Sequence, residues 1–575
     1  MVSRNDDTWQ ERAAAKVAST YSKIPSAWRL GQSDLERAKA TNDLTGPFIE
    51  AFLTPQEIAI IHLDAQRLLT GLVARSLTCV EVTTAYCKTA AIAHQINNCL
   101  HEIFFDEALR RAAELDREYE DYQRLSGPLH GLPVSLKDQF HVMGHDTTMG
   151  YVGWIDSFEG STDPNLVHRI QSQVVDELLA QGAVLYCKTS LPQTLMYGET
   201  INNLIGQTCN PISQRLSCGG SSGGEAALQA LKGSIVGLGT DIGGSVRIPA
   251  AFCGTYSLKP THDRLSYRNV ANTNPGQLNY PSSVGIMGRS SDSLKLIMTA
   301  LLACEPWHRD PAVVPLPWRQ SLERATTARA DDRGKATDDL PLKVGILYDD
   351  GFMRPHPPIE RGLRIVDNLL RSAGHKVIDW NPPPHRDLAE IHLRFLQSDG
   401  AYDIHKQLEL SGEPLIPPLR DIFKLVPPLT AIETQELSVE GRVACESYLE
   451  YWNSKTADDG QAVDAVIMPV APHAAVLPGR YLYTGYTEVV NLLDYCTCVV
   501  PVTRADQFSD KADTDYSPHN ELDARNWTWY DAEAYHGAPV GLQIVCKKYE
   551  EEKVWAIGEI VTKLLKDPQA ATAMR

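Results

Sequence analysis

Two glycine-dense runs constrain this chain more than any other feature: Cys218-Gly-Gly-Ser-Ser-Gly-Gly-Glu-Ala-Ala, and Gly237-Leu-Gly-Thr-Asp-Ile-Gly-Gly-Ser-Val-Arg-Ile-Pro-Ala-Ala-Phe-Cys-Gly. Glycines this dense strip side chains from the backbone, so these segments fold into bare loops where amide N–H groups converge. Each run carries an informative serine, Ser221 or Ser245, and Lys137 closes the apolar run Leu132-Pro-Val-Ser-Leu-Lys upstream. Serine oxygens, exposed backbone donors and a lysine at the end of an apolar strand are the parts of an acyl-transfer site.

A chain of 575 residues is long enough for a large core and for roughly two to four domains. Its apolar content of 43% and charged content of 22% are those of an ordinary globular protein. The formal net charge of −18 repels nucleic acid and anionic membrane surfaces, so neither is expected as a partner. No apolar run reaches the length of a transmembrane helix. The start, Met1-Val-Ser-Arg-Asn-Asp-Asp-Thr, has no apolar signal-peptide core, and Thr572-Ala-Met-Arg575 matches no common targeting ending. The expected location is therefore the reducing cytoplasm. There the 12 cysteines act as small core residues rather than a disulfide framework. Cys496-Thr-Cys498 lacks a second ligand pair, so no metal is expected, and the sequon Asn526-Trp-Thr528 is expected to be unused.

Residues 1 to about 125 read as mostly helical. Ile58, Ile61, Leu68, Leu69 and Leu72 give Gln56 to Ser76 a helical spacing, Thr78 caps the next helix, and Phe105 to Leu125 is charged and amphipathic. Short apolar strands then alternate with helices: Leu132–Leu136, a helix over about 164–181, Ala183–Lys188 and Ser234–Leu238. The same alternation returns with a strand at Leu342, a helix over Pro358–Ser372 and a strand at Lys376. Further strands begin at Val463 and Gly541, and a helix runs from about Glu550 to Leu565. Alternation at both ends predicts one α/β layered unit with no flexible linker. The polar stretches 319–341 and 505–525 read as surface loops.

Neither glycine run fits a phosphate loop. Gly243-Gly-Ser-Val-Arg lacks the Gly-Lys-Ser/Thr ending of a P-loop, and Gly237-Leu-Gly-Thr-Asp-Ile-Gly has the wrong dinucleotide spacing and runs into Ile-Pro rather than a helix start. Gly219-Gly-Ser-Ser-Gly223 does match the nucleophile elbow of α/β-hydrolases, which would make Ser221 the nucleophile and require a histidine. The residues before it, from Asn210 to Ser217, read as a loop, whereas an elbow needs a strand. Ser245 follows an apolar strand, and the N–H groups of Ile242, Gly243, Gly244 and Ser245 itself are placed to form an oxyanion hole. Lysine can take a serine proton only when burial lowers its pKa. Lys137 suits that role, and the bland alternative is an ion pair with Asp138.

The whole segment of about 217–260, closing with Ser257-Leu-Lys-Pro-Thr, resembles the signature of the amidase-signature family. The similarity extends over most of the chain, in the pattern of fungal acetamidase-type general amidases. It takes in Gly127-Pro-Leu-His-Gly-Leu-Pro-Val-Ser-Leu-Lys-Asp, Lys188-Thr-Ser-Leu-Pro-Gln-Thr-Leu-Met, Val490-Asn-Leu-Leu-Asp and Glu533-Ala-Tyr-His-Gly-Ala-Pro-Val. The resemblance implies an α/β fold, a mixed central β-sheet sandwiched between helices, with an N-terminal helical segment (1–75) packed on one catalytic domain (76–575). It implies a Ser–Ser–Lys triad of nucleophile Ser245, bridging Ser221 held through a cis peptide, and base Lys137. Asp241 and Arg247 match residues that brace the site, and Ser222 and Thr240 support it. Gln193, Met196 and Tyr197 are candidate substrate-lining residues, within variable segments around Met149–Trp154, Gln193–Tyr197 and Tyr481–Asn491. Tyr151, Trp154 and Tyr197 would suit an apolar or aromatic acyl group, and the alternative reading places them in the core.

The expected activity is hydrolysis of a small-molecule carboxylic amide through a seryl acyl-enzyme, without cofactor or metal. The triad needs none of the 17 histidines, so His130, His141 and His536 are read as packing or hydrogen-bonding residues. The alternatives are a specialised amide or ester hydrolase or acyl transferase of secondary metabolism or detoxification, and an amidotransferase subunit. The N-terminal helices offer a homodimer contact.

Overall fold

The strands Pro133–Lys137 (β2) and Val236–Asp241 (β4) are buried at every position, as strands covered on both faces must be. They run parallel and side by side, with Ser135 opposite Gly237 and Leu136 opposite Leu238. The structure is a computed structural model and describes residues 8–337, 340–456 and 460–567. Both chain ends read above, before Thr8 and at Thr572–Arg575, lie outside the described residues, as do positions 338 and 339 of the first polar stretch.

Nine further strands complete the sheet: Leu100–Ile103 (β1), Val184–Thr189 (β3), Tyr256–Lys259 (β5), Ser283–Gly288 (β6), Lys343–Ile346 (β7), Lys376–Asp379 (β8), Ala465–Pro469 (β9), Cys496–Arg504 (β10) and Pro539–Cys546 (β11). Their order is β1-β3-β2-β4-β6-β5-β10-β11-β9-β7-β8. The pairs β2–β3, β2–β4, β7–β8 and β7–β9 are parallel and the others antiparallel, so the sheet is mixed.

Helices cover both faces. Adjacent strand positions point to opposite sides. At β11, Val540 meets Gly362 of the helix Pro357–Ser372, while Gly541 faces Ala251 of the helix Arg247–Cys253. A Cβ at Gly541 would stand 2.7 Å from the Ala251 Cα, so only glycine lets that helix lie so close. One apolar core runs from Ile24, Leu44 and Leu68 of the N-terminal segment through the sheet to Ile560 near the C-terminus. Among the described residues no helix is long and apolar enough to cross a membrane.

Local chemistry explains most helix boundaries. Thr78 caps the helix Cys79–Asn97 in a reciprocal box with Glu81. Elsewhere the structure corrects the sequence reading. The stretch 56–76 is two helices, Pro55–Ile61 and Ala65–Val73, because the Asp64 side chain accepts from the Arg67 amide at 2.7 Å and caps a new start. The helix expected over 164–181 spans only Gln173–Ala180. His168 before it adopts a φ of 57°, with its ring held on Asp146. Within 319–341 lies a helix, Gln320–Thr327, docked against Glu551–Lys566. Its polar composition hides anchoring by Lys295 and Trp318 onto Glu323. The stretch 505–525 likewise ends in a helix, Glu521–Thr528, capped by Asn520.

Candidate active site

Because β2 and β4 are parallel, their C-terminal ends emerge together, the usual place for a site in an α/β sheet. β2 delivers Lys137 and β4 delivers Thr240 and Asp241. Lys137 Nζ donates to Ser221 Oγ at 2.7 Å and to Thr240 Oγ1 at 3.0 Å. The Thr240 hydroxyl in turn donates to Gln139 Oε1. Lys137 is fully buried, and burial pushes its amine well below the ordinary lysine range, against the opposing pull of the Asp241 charge. The bland alternative for Lys137 does not form: Asp138 is bound instead by Lys188 at 2.8 Å and by the Thr148 hydroxyl at 2.6 Å.

Ser221 sits between the strand Ser213–Ser217 and the helix Gly223–Ala230, and the Gly220–Ser221 peptide is cis. The loop expected over 210–217 is thus wrong. Those residues pair with Cys209–Asn210 in a small ribbon outside the main sheet. A strand does precede Ser221, but the hydrogen-bond partner of its hydroxyl is Lys137 rather than a histidine.

Ser245 lies in the turn between β4 and the helix Arg247–Cys253. That helix corrects the expectation that the glycine run does not open into one, since proline is tolerated in a first turn, here at Pro249. The Ser222 amide donates to the Ser245 carbonyl at 3.0 Å, tying the two serine loops together. The Ser222 hydroxyl leans toward the Thr240 carbonyl at 3.5 Å. Ser221, Thr240, Ile242 and Ser245 together border a small cavity of about 20 Å³.

Asp241 organises the turn. Its carboxylate accepts from the amides of Gly244 at 2.9 Å and Val246 at 3.1 Å, and from two nitrogens of Arg247 at 2.8 and 3.0 Å. Burial opposes its ionisation, yet the charge and hydrogen bonds of Arg247, with help from Lys259 and Asn491, hold its carboxyl well below the usual range. Arg247 reaches on to the Thr487 carbonyl, Gln543 and Asn491. The Gly244 N–H, expected among the oxyanion donors, is therefore occupied by Asp241. Ile242, Gly243 and Ser245 all border the larger cavity described next. Gly244 has a φ of 124°, and a Cβ there would meet Thr487 Oγ1 at 2.5 Å, while that hydroxyl donates to the Gly243 carbonyl at 2.6 Å.

A second cavity, of about 260 Å³, opens from Ser245 and Gly243. Its walls include Leu195, Met196, Tyr197, Phe423 and Tyr481. Met196 and Tyr197 thus face it, but Gln193 does not. Gln193 Nε2 donates to Glu413 at 2.9 Å, and its Oε1 accepts from the Ile416 amide at 2.8 Å, so it pins a distant loop. Met149, Tyr151 and Trp154 also leave the site, packing in a core cluster with Ile404 and Leu408. Sequence reasoning missed Leu393, Leu396, Ile422 and Phe423, which arrive from a segment with no motif, whereas Glu488, an acidic residue in the otherwise uncharged helix Gly485–Leu492, falls within the candidate segment Tyr481–Asn491. The histidines stay outside: His141 bonds Glu159 at 3.0 Å, and His130 and His536 accept from backbone amides. Among the described residues the one cluster of metal-ligand geometry, Asp146, Asp156 and His168, already holds the Lys16 ammonium at 2.7 Å from Asp146.

Known proteins share this geometry's frame. The amidase family model matches residues 81–555. The acetamidases of Aspergillus oryzae and Emericella nidulans are each 41% identical over 97% of this chain, covering 99% and 98% of their own lengths. The structure of a fatty acid amide hydrolase superposes with a TM-score of 0.88 at 32% identity, covering 97% of this chain and 95% of that one. A family match over most of its length, with relatives aligned nearly end to end, means that this chain belongs to the amidase family of amide-hydrolysing enzymes.

Proposed function

We propose that the enzyme cleaves a carboxylic amide through Ser245, Ser221 and Lys137 and a seryl acyl-enzyme. The observation that carries this reading is the 2.7 Å hydrogen bond from a fully buried Lys137 to Ser221, beside a Ser245 that borders the same cavity. A buried lysine is neutral more readily than an exposed one, and only neutral lysine can accept a proton.

In the first step Ser245 Oγ bonds to the amide carbonyl carbon while its proton passes to Ser221 Oγ, whose own proton passes to Lys137. The tetrahedral oxyanion is met by the amides of Ile242, Gly243 and Ser245, with Asp241 holding the turn rigid. Collapse breaks the C–N bond. The proton returns from Lys137 through Ser221 to the departing nitrogen, releasing ammonia or an amine. Water then attacks the acyl-enzyme, giving up a proton by the same route, and the acid leaves with Ser245 restored.

The mainly apolar walls of the larger cavity, and a volume of about 260 Å³, support acyl groups longer than acetyl. The test is labelling with a broad fluorophosphonate, followed by peptide mapping by mass. The expected adduct is on Ser245 and is lost in Lys137→Ala; an adduct on Ser221 alone would overturn the assignment of nucleophile.

A further inference from the structure

The larger cavity has one acidic side chain in its wall. Glu488 borders it together with Ser245 and Gly243, and is almost wholly buried. Its carboxyl packs directly on the oxyanion turn: the Cβ position of Gly243 lies 3.4 Å from Glu488 Oε1. Glu488 Oε2 is buried with no hydrogen-bond partner among the described residues.

Neighbouring cations do not satisfy it. The guanidinium of Arg247 is taken up by Asp241, Asn491, Gln543 and the Thr487 carbonyl. Burial therefore pushes the Glu488 carboxyl up to about 8, against weaker lowering by Thr484 and Arg247, so at neutral pH it is mostly a neutral acid that can both donate and accept. A wholly hydrocarbon acyl group packed on this wall would offer the buried carboxyl no further partner, which is costly for a buried polar group. A polar substituent a few bonds from the reacting carbonyl would meet it instead.

We infer that Glu488 sets acyl specificity, selecting amides whose acyl group carries a hydroxyl or other hydrogen-bonding substituent near the carbonyl over plain alkyl amides. The inference rests on Ser245 being the site of acyl transfer. A hydrogen bond made or left unmade at a buried carboxyl corresponds to about tenfold or more in kcat/KM.

The experiment compares kcat/KM for butanamide with 2-, 3- and 4-hydroxybutanamide in the wild type, Glu488→Gln and Glu488→Met, alongside fluorophosphonate mapping of the wild type. The expected result is that one hydroxyamide is preferred about tenfold by the wild type. Glu488→Gln, which keeps hydrogen-bonding capacity, should retain much of that ratio. Glu488→Met should abolish the ratio chiefly by improving butanamide. A wild type that does not distinguish any of these pairs overturns the inference whatever the variants do. So does a Glu488→Met enzyme with an unchanged ratio. Either result with Ser245 labelled leaves the catalytic reading standing, whereas absence of a Ser245 adduct removes both.

Discussion

Lys137 Nζ lies 2.7 Å from Ser221 Oγ at a position closed to solvent. Lys137 ends β2 of the main sheet, Ser221 follows the strand Ser213–Ser217 of the small ribbon, and neither has a carboxylate as its hydrogen-bond partner. The proposed role of Lys137 as the base rests on its lone pair rather than its charge, and that role has measurable consequences.

Removing either member of the pair should cripple turnover. Lys137→Ala and Ser221→Ala are each expected to lower kcat by roughly 10³-fold or more, and the double variant by little beyond the worse single one, because the residues act as a unit. Ser245→Ala should eliminate acyl-enzyme formation. Single-turnover kinetics with an activated amide measure all four, and strictly additive losses would contradict a shared proton path.

The pH profile follows from the depressed Lys137 pKa. With neutral Lys137 as the proposed base, kcat/KM should be full above the folded-state pKa and fall with unit slope as pH drops through it. That pKa lies well below the ordinary lysine range, so the acid limb should appear below it too. A profile flat into acid would rule out lysine as the base.

The same shift has a stability side. Between the folded-state pKa and the ordinary lysine value the unfolded chain binds more protons than the folded one, so Lys137 costs stability there and the cost fades as pH rises toward the ordinary value. Lys137→Met should therefore raise the denaturation midpoint at neutral pH while abolishing activity. The gain should shrink in alkaline buffer, as read by urea titration at two pH values.

Asp241 behaves with the opposite sign. Its folded pKa is depressed, so its ionised form contributes stability above the unfolded aspartate value of about 3.9, and the contribution is lost as pH falls through the folded value. Asp241→Asn leaves Arg247 buried without its carboxylate and should cost about 3–5 kcal/mol at pH 7. The deficit should narrow only in strong acid. Equal stability of variant and wild type at neutral pH would refute this account of the turn.

Gly541→Ala tests the close approach beneath the site. A methyl 2.7 Å from the Ala251 Cα must push the helix Arg247–Cys253 off β11, at a cost of about 1–3 kcal/mol. Both the melting temperature and the rate of Ser245 phosphonylation should drop. An unaltered labelling rate would mean that the helix position does not govern the nucleophile.

What the sequence determined by itself was chemistry tied to short-range pattern. Glycine density around Ser221 and Ser245, the apolar strand ending at Lys137 and the Thr78 cap all depend on neighbours within a few residues, and the strands at both ends of the chain were readable for the same reason. Tertiary structure decided what depends on segments far apart in sequence. The Gly244 amide reads as free until Asp241 folds back onto it. Gln193 reads as site lining until Glu413 and Ile416, more than two hundred residues on, claim it. The cavity wall takes Leu393, Leu396 and Phe423 from stretches that carry no motif. A side chain's environment is set by packing across the sheet rather than by spacing along the chain, so burial pushes the Lys137 amine down, Arg247 holds Asp241 ionised against its burial, and burial pushes the Glu488 carboxyl up.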